Sequence, residues 1–440
     1  MRRFNYTGPV YEDEHYVVKR HGLYEDFKKS IDQGRYFTIF APRQMGKTTF
    51  LKDVIRNINQ DNYYIGINLD FERYRGLERK EFYRELRFDL EEGISNRLSE
   101  IGCEKKEKIK QVFVQNDFVN HVEFYRVVKL IGEVIQNKKL VLLVDEFDGV
   151  PIEITGDFLY TLRDMYLKSK EEKSFSIYSI GLVGVKNIRE LNFGSTSPFN
   201  IATQVKLESF TLDQCYELIN QYIEETGHKF QKGVIEKIHF ETGGHPFLTN
   251  RLCAILVEEV AKDKANPVTH ENLQSALSIL LKEQNTNFDS LKNNAKKYEE
   301  SVKPILLASR NIEYRPHSES NEKLIMYGII KDDNGLCEIS NPIYKKVLLQ
   351  YFSPESIEST LLFPNGTTPS TFIKEGEIDL KSLLVHFKEF VERVGIKLFD
   401  IVSSRKESAG QYLLMSYLDL FIRTLDGYSI IETPSGRGRI

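Results

Sequence analysis

Ala41-Pro42-Arg43-Gln44-Met45-Gly46-Lys47-Thr48-Thr49 decides the fold of this chain. It follows the apolar run Tyr36-Phe37-Thr38-Ile39-Phe40 and opens the amphipathic segment Phe50-Leu51-Lys52-Asp53-Val54-Ile55, so the order is strand, tight loop, helix. A loop in that setting turns backbone N–H groups and a helix N-terminus toward an anion. Lys47 is then placed to reach the outer phosphates of a nucleotide, and the Thr48 hydroxyl to ligate Mg²⁺. Every residue from Ala41 to Thr49 is expected in the nucleotide site. The pattern is a Walker A loop with Ala41 where the first glycine usually stands. A chance Gly-Lys-Thr in a surface turn is the competing reading, and the strand before and helix after argue against it.

The second half of such a site is expected at Leu140-Val141-Leu142-Leu143-Val144-Asp145-Glu146, after the pair Lys138-Lys139. A continuous apolar run ending in two acids reads as a strand buried on both faces whose C-terminal end meets a ligand. Asp145 is expected to hold Mg²⁺ through water and Glu146 to orient the water that attacks the γ-phosphate. Alone, this stretch reads equally well as a strand ending in a solvated acidic turn; its pairing with the upstream loop is what gives it weight. Tyr64–Asp70 and Phe175–Val185 read as further strands alternating with helices, which predicts a parallel sheet. Asn187, just past the latter strand, is a candidate γ-phosphate sensor, with loop capping as the alternative.

Composition sets the limits around that core. A chain of 440 residues with 41% hydrophobic content has a length prior of roughly two to four domains and can bury sizeable cores. Its net charge of −4 leaves nucleic-acid binding to a local basic patch rather than to overall charge. Cys103, Cys215, Cys253 and Cys337 are widely spaced, which fits a reducing, cytoplasmic compartment and points to neither a zinc site nor a disulfide framework. No long apolar span is present, so neither secretion nor membrane insertion is expected. Residues 1–34 read as a lead-in that lies across the adenine side of the site or, equally, as a strap over a sheet edge.

Beyond the sheet, Thr211 or Asp213 is placed to cap a helix running to about Thr226. A helical region from Gln231 to Leu281 is broken by Thr242-Gly243-Gly244-His245-Pro246-Phe247, where Pro246 suits the first turn of a new helix. That turn is read as a nucleotide-contacting lid, with His245 and Pro246 as its contact residues; a plain helix start is the alternative.

Phe4-Asn5, Gly8-Pro9, His15-Tyr16, the Ala41–Thr49 loop, Asp145-Glu146, Ser197-Pro198-Phe199-Asn200-Ile201 and Gly243-Gly244-His245-Pro246 together resemble the prokaryotic AAA-like ATPases, relatives of the AAA+ and STAND ATPases. The resemblance covers roughly residues 1–350 and implies an α/β, additional-strand P-loop core with a parallel sheet, then a helical lid and a winged helix. Expected boundaries are 1–210 for the core, 211–285 for the lid, 286–355 for the winged helix and 356–375 for a linker. Arg251 and Arg163 are arginine candidates for the lid and for a neighbour's site, with ordinary surface roles as the alternative. The winged helix has support of its own: a helix over Val302–Ala308, a helix from Leu324 running into a strand, and a hairpin turn at Asp332-Asp333-Asn334-Gly335. Its acids, Glu313, Glu319, Glu322, Asp332, Asp333 and Glu338, argue against a DNA-reading face.

Residues 376–440 are expected to begin a PD-(D/E)XK nuclease-like domain; the resemblance covers only about the last 40 residues and is carried by Glu407-Ser408-Ala409-Gly410-Gln411-Tyr412-Leu413-Leu414-Met415 and Gly436-Arg437-Gly438-Arg439-Ile440. The metal-binding Asp and later Glu-x-Lys of such a site would fall past Ile440, so residues 1–440 are expected to lack nuclease activity. Two glutamates, Glu407 and Glu432, lie in the resembling segment, and Glu407 reads better as a helix-opening acid than as a metal ligand. The resulting expectation is an ATP-hydrolysing switch using ATP and Mg²⁺, with a nucleotide-holding scaffold of negligible turnover as the alternative. DNA and a second copy of the chain are its open macromolecular partners, and no membrane is expected.

Overall fold

Alternation along the buried strands assigns each side chain to one side of a sheet. In strand β3 (Lys139–Asp145), Leu140, Leu142 and Val144 enter one apolar core while Val141 and Leu143 enter another. The computed structural model describes residues 1–8, 10–171, 177–184, 201–307, 312–352, 372–374, 377–394, 414, 417 and 418. Contacts divide the chain into two compact units, Met1–Asn287 with Met326–Gly328, and Phe288–Ile325 with Ile329–Ile440.

The first unit is built on five parallel strands. β1 (Phe37–Phe40), β2 (Tyr64–Asp70), β3, β4 (Ile177–Gly184) and β5 (Thr203–Lys206) lie in the order β2-β3-β4-β1-β5. One face is covered by α1 (His21–Asp32) and α2 (Lys47–Ile58), which contribute Phe27, Leu51 and Val54. The other carries α3 (Arg79–Glu100), α4 (Lys106–Gln115), α5 (His121–Ile135) and α6 (Ile152–Glu171), whose Phe82, Phe113, Phe124 and Phe158 fill the larger core. With both faces covered, the central strand β3 is a continuous buried apolar run from Leu140 to Val144, as a parallel sheet requires, whereas the edge strand β5 is polar and largely exposed.

After β5 the chain becomes helical. α7 (Leu212–Thr226) starts with a capping box in which Thr211 Oγ1 accepts from Gln214 N at 3.2 Å and Gln214 returns a bond to Thr211 N at 3.0 Å. α8 (Val234–Thr242) and α9 (Pro246–Ala254) flank the glycine turn, a wider π turn follows over Ile255–Val260, and α10 (His270–Leu280) is capped by Thr269. α11 (Thr286–Lys297) carries the chain onward.

In the second unit, α12 (Glu299–Leu307) and α13 (Glu319–Met326) precede an antiparallel hairpin of β6 (Ile330–Asp333) and β7 (Leu336–Ile339). Asn334 and Gly335 take φ of 52° and 85° at its tip, the mirror-image turn that an Asn-Gly pair selects. α14 (Pro342–Tyr351) follows, started by Asn341, whose Oδ1 accepts from Tyr344 N at 2.8 Å. A short hairpin, β8 (Ile373–Lys374) with β9 (Glu377–Ile378), and α15 (Leu380–Val394) complete the described elements. Asn187, most of the Ser197–Ile201 segment, nearly all of the linker, and Glu407 and Glu432 lie outside the described residues.

Candidate functional site

The turn between β1 and α2 is set by two left-handed residues, Gln44 at φ 59° and Gly46 at φ 80°. Gly46 occupies the helix-capping position with no side-chain hydrogen bond to the first turn, so the leading amides of α2 are left for a ligand. Lys47 Nζ is buried and donates to the carbonyls of Ala41 at 3.1 Å and Pro42 at 3.0 Å. Burial lowers its pKa, and the carboxylates of Glu146, Asp145 and Asp148 oppose that shift. The Thr48 hydroxyl donates to Asp145 Oδ2 at 2.6 Å, joining the loop to the end of β3.

Asp145 is buried, and its other oxygen accepts from Glu146 N at 2.9 Å. Glu146 holds φ 48° and ψ 46°, a left-handed conformation that costs a non-glycine residue about 1–2 kcal/mol. The short turn Phe147–Gly149 locks it, with Gly149 N donating to Glu146 O at 2.8 Å. Burial raises the Glu146 pKa; Lys47 pulls it down, whereas Asp145, Asp148 and Glu72 push it up. The β2–β3 register sets Asp70 beside Asp145, and Asp70 Oδ1 accepts from Glu72 N at 2.9 Å. Asp70 and Glu72 thus join the acidic rim through strand register, which no local sequence pattern reveals.

These groups face one cleft of about 690 Å³. It takes in Gln44, Gly46, Lys47, Thr48 and Thr49 from the loop, Asp145 and Glu146 from the acid end, and Pro246, Phe247 and Asn250 from α9. Tyr6, Thr7, Gly8, Val17 and Val18 of the N-terminal lead-in form a further wall. That lead-in is fastened to α7: Phe4 packs on Tyr16 and Tyr222, with ring centroids 4.9 and 5.6 Å apart, and Gln221 bonds both the N–H and the carbonyl of Val17, at 3.2 and 2.8 Å. It is also fastened to α2, where Arg56 meets Glu12 at 2.9 Å.

Ala41, Pro42, Arg43 and Met45 shape the loop without lining the cleft, the first two through their carbonyls on Lys47. His245 lies behind the loop, buried beside the Arg43 backbone; burial pushes its imidazole down to about 4. Gly244 is obligatory, because at φ 67° a Cβ would sit 2.0 Å from the Phe210 carbonyl oxygen. Arg251 is held by Glu283 Oε1 at 2.8 Å and Glu259 Oε1 at 3.0 Å and stacks over Tyr6, while Arg163 belongs to α6; neither lines the cleft. Arg20, unremarked in the sequence, does line it.

A parallel sheet with β4 inserted between β1 and β3, a phosphate loop after β1 and acids at the end of β3 define the additional-strand class of P-loop folds. The AAA-like domain model matches residues 5–353, and the chain belongs to that family. A Walker-type ATPase of Pyrococcus abyssi is similar in structure at a TM-score of 0.55 and 16% identity, over 79% of this chain and 99% of that one, a likeness of fold. The Aeropyrum pernix ORC2 protein, solved in ADPNP–ADP complexes, aligns at a TM-score of 0.42 and 12% identity over 77% and 96% of the two chains, too distant to argue from. An uncharacterized WD repeat-containing protein of Synechocystis sp. is 21% identical over 379 residues, which is 80% of this chain and 30% of the relative. The chain therefore spans under a third of that curated relative's length. Among the described residues no helix is long and apolar enough to cross a membrane.

Proposed function

We propose that the chain binds ATP with Mg²⁺ and hydrolyses it, as a switch. The observation that carries this reading is the 2.6 Å contact between the Thr48 hydroxyl and the buried Asp145 carboxylate, beside the seated Lys47 ammonium and the uncapped N-terminus of α2. A hydroxyl and a carboxylate are hard oxygen donors. No cluster of three or more His, Cys, Asp or Glu that could hold a metal is found among the described residues. That suits Mg²⁺, which keeps several waters and takes one or two protein ligands plus substrate phosphates rather than an all-protein cage.

In this reading Thr48 and Asp145 hold Mg²⁺, which when bound neutralises developing phosphate charge. Lys47 exchanges its loop carbonyls for the outer phosphates, and the free amides of α2 bind phosphate oxygens. Glu146, with its basicity raised by burial, accepts the hydrogen bond of the attacking water and orients it. The apolar wall of Val18, Phe210, Leu218 and Phe247 suits a base. Pro246 would border the nucleotide directly, and His245 would act through the loop it backs.

The STAND-type switch, a C-terminal nuclease-like effector in a mobile-element or defence setting, DNA or self-association, and a cytoplasmic location belong to the same proposal. The four free cysteines support the reducing compartment. The effector rests on the wording of the C-terminal sequence, and DNA has the mixed-charge hairpin Lys331, Asp332, Asp333, Glu338 against it. Isothermal titration with MgATP tests the core of the reading: micromolar binding by the wild type and a loss of at least about 100-fold in Lys47→Ala are expected. Equal affinity in the two proteins sinks it. Turnover measured with and without DNA then separates an effector-coupled ATPase from a scaffold.

A further inference from the structure

Arg20 is where the lead-in, the phosphate loop and the approach to the lid meet. It caps the start of α1, with its carbonyl accepting from Tyr24 N at 2.9 Å, so its backbone is fixed by a helix packed on the sheet. Its side chain bridges two separate segments. One terminal nitrogen donates to the carbonyl of Met45 at 3.1 Å and the other to the carbonyl of Glu208 at 2.8 Å. The guanidinium also lies 5.1 Å from the centroid of the buried Phe210 ring.

The Met45 contact bears on the ligand through the peptide bond itself. In a trans peptide the carbonyl and the following N–H point in opposite directions, and no cis peptide is found among the described residues. A donor holding the Met45 carbonyl on one side turns the Gly46 N–H to the other, and Gly46 lines the cleft. Gly46 is left-handed and glycine is conformationally permissive, so this peptide plane is one that needs an external hold.

The Glu208 and Phe210 contacts reach the lid. Phe210 N donates to the carbonyl of Gly244 at 2.8 Å, and the Phe210 carbonyl meets His239 Nε2 at 3.1 Å, so the residues just before α7 are bonded to α8 and to the glycine turn that opens α9. Arg20 therefore touches the phosphate loop with one arm and the segment bonded to the lid turn with the other.

Resting on the nucleotide reading above, we propose that Arg20 is a positioning residue: it aims the Gly46 amide at the bound phosphate and passes the state of the phosphate loop to the lid hinge at Glu208–Phe210. It need not touch the nucleotide. Burial lowers its pKa to about 10, which leaves the guanidinium charged at neutral pH and both bonds charge-assisted.

The test uses the full chain, with MgATP and adenosine as ligands, calorimetry for affinity and amide hydrogen exchange for the hinge. In the wild type, ATP should slow exchange over 41–48 and also over 208–212 and 242–246. Arg20→Met, which keeps the apolar stem on Phe210 but has no donors, should bind ATP about tenfold more weakly and adenosine as before. At saturating ATP it should keep protection at the loop and lose it at the hinge, and Arg20→Lys should restore part of both. Wild-type hinge protection in Arg20→Met overturns the proposal. So does an equal loss of ATP and adenosine affinity, which would make Arg20 a direct contact to the base. Should Arg20→Met not fold, Arg20→Gln, which is shorter and uncharged and cannot bridge both carbonyls, takes its place; wild-type hinge protection there overturns the proposal equally. A wild type that binds no ATP is a separate result, which removes the nucleotide reading before any variant is made.

Discussion

Two glycine turns each open a helix that reaches the cleft. Gly46 opens α2 and Gly243-Gly244 precede α9, and all three glycines are left-handed, at φ 80°, 57° and 67°. They differ in what becomes of their polar groups. The phosphate-loop turn leaves its helix without a side-chain cap. The lid turn is bonded on every side: Gly244 N to Thr242 Oγ1 at 3.2 Å, Gly244 O from Phe210 N at 2.8 Å, and His245 N to Thr242 O at 3.1 Å. Unmet donors wait for a ligand, whereas met donors fix a joint. In the proposed reading the first turn is a cradle and the second a hinge, and the lid would act on a nucleotide through placement, with Pro246 at the cleft's edge.

If chemistry sits on the cradle side, Glu146→Gln should lower turnover by roughly 10²–10⁴-fold with ATP affinity held within a few-fold, because the amide cannot take up the water's proton. His245→Ala on the hinge side should do the converse, weakening ATP retention without unfolding the protein and sparing the chemical step. Single-turnover hydrolysis beside calorimetry reads both. A Glu146→Gln protein that loses binding as Lys47→Ala does would remove the catalytic assignment.

Glycine replacement sharpens the contrast. Gly244→Ala drives a Cβ to 2.0 Å from a backbone oxygen and should cost roughly 3–4 kcal/mol of stability. At Gly46 no atom lies within 4 Å of a new Cβ, so Gly46→Ala should cost only the left-handed strain, about 1–2 kcal/mol, while weakening ATP binding more. Denaturant melts with ATP titrations compare the two. Matching stability losses would mean the turns are the same kind of structure.

What could be read from the sequence follows the range of the signal. The phosphate loop, β3 with its acids, the Thr211 cap and the Asn334-Gly335 hairpin are carried by contiguous residues, and each element lies where its pattern puts it. Asp70 meets Asp145 through strand register, and Arg20 meets Met45 and Glu208 across 25 and 188 residues. Neither has a local signature. His245 shows a further limit: the Gly-Gly-His-Pro wording marks a turn beside the site, but only packing reveals that Pro246 reaches the cleft while the imidazole is buried behind the loop.

The buried imidazole also gives the hinge a pH dependence. Its folded pKa of about 4 lies below the ordinary 6.5, chiefly through burial, with Arg20 and Lys47 adding to the shift. The unfolded chain therefore takes up the proton first as pH falls. The contribution is fully present above about pH 6.5 and is lost down to about pH 4, a span worth roughly 3 kcal/mol. His15 and His228, also lowered mainly by burial, act with the same sign. Urea melts at pH 7.5 and 4.5 should show a smaller loss in His245→Gln than in the wild type; an identical loss would mean that the proton uptake occurs elsewhere.

The smallest effect concerns how helices begin. α7 and α2 both present unpaired amides at their N-termini, and the fold answers them differently. At α7, Thr211 and Gln214 bond each other's backbone, so nothing is left for solvent or ligand to do at those two amides. Thr211→Ala should cost about 1 kcal/mol and leave ATP affinity within twofold. At α2 the stabilisation is deferred to the anion, so ATP itself should act as the cap and raise the unfolding free energy by RT ln(1 + [L]/Kd), roughly 2.7 kcal/mol at a hundredfold excess over Kd. Thermal melts of wild type and Thr211→Ala, each with and without MgATP, put the two caps on one scale. The ATP-induced shift should be the same in both proteins, since one cap belongs to the fold and the other to the ligand. A Thr211→Ala protein whose ATP shift collapses would show that the start of α7 is coupled to the cradle after all, and the separation of cradle from hinge would have to be redrawn.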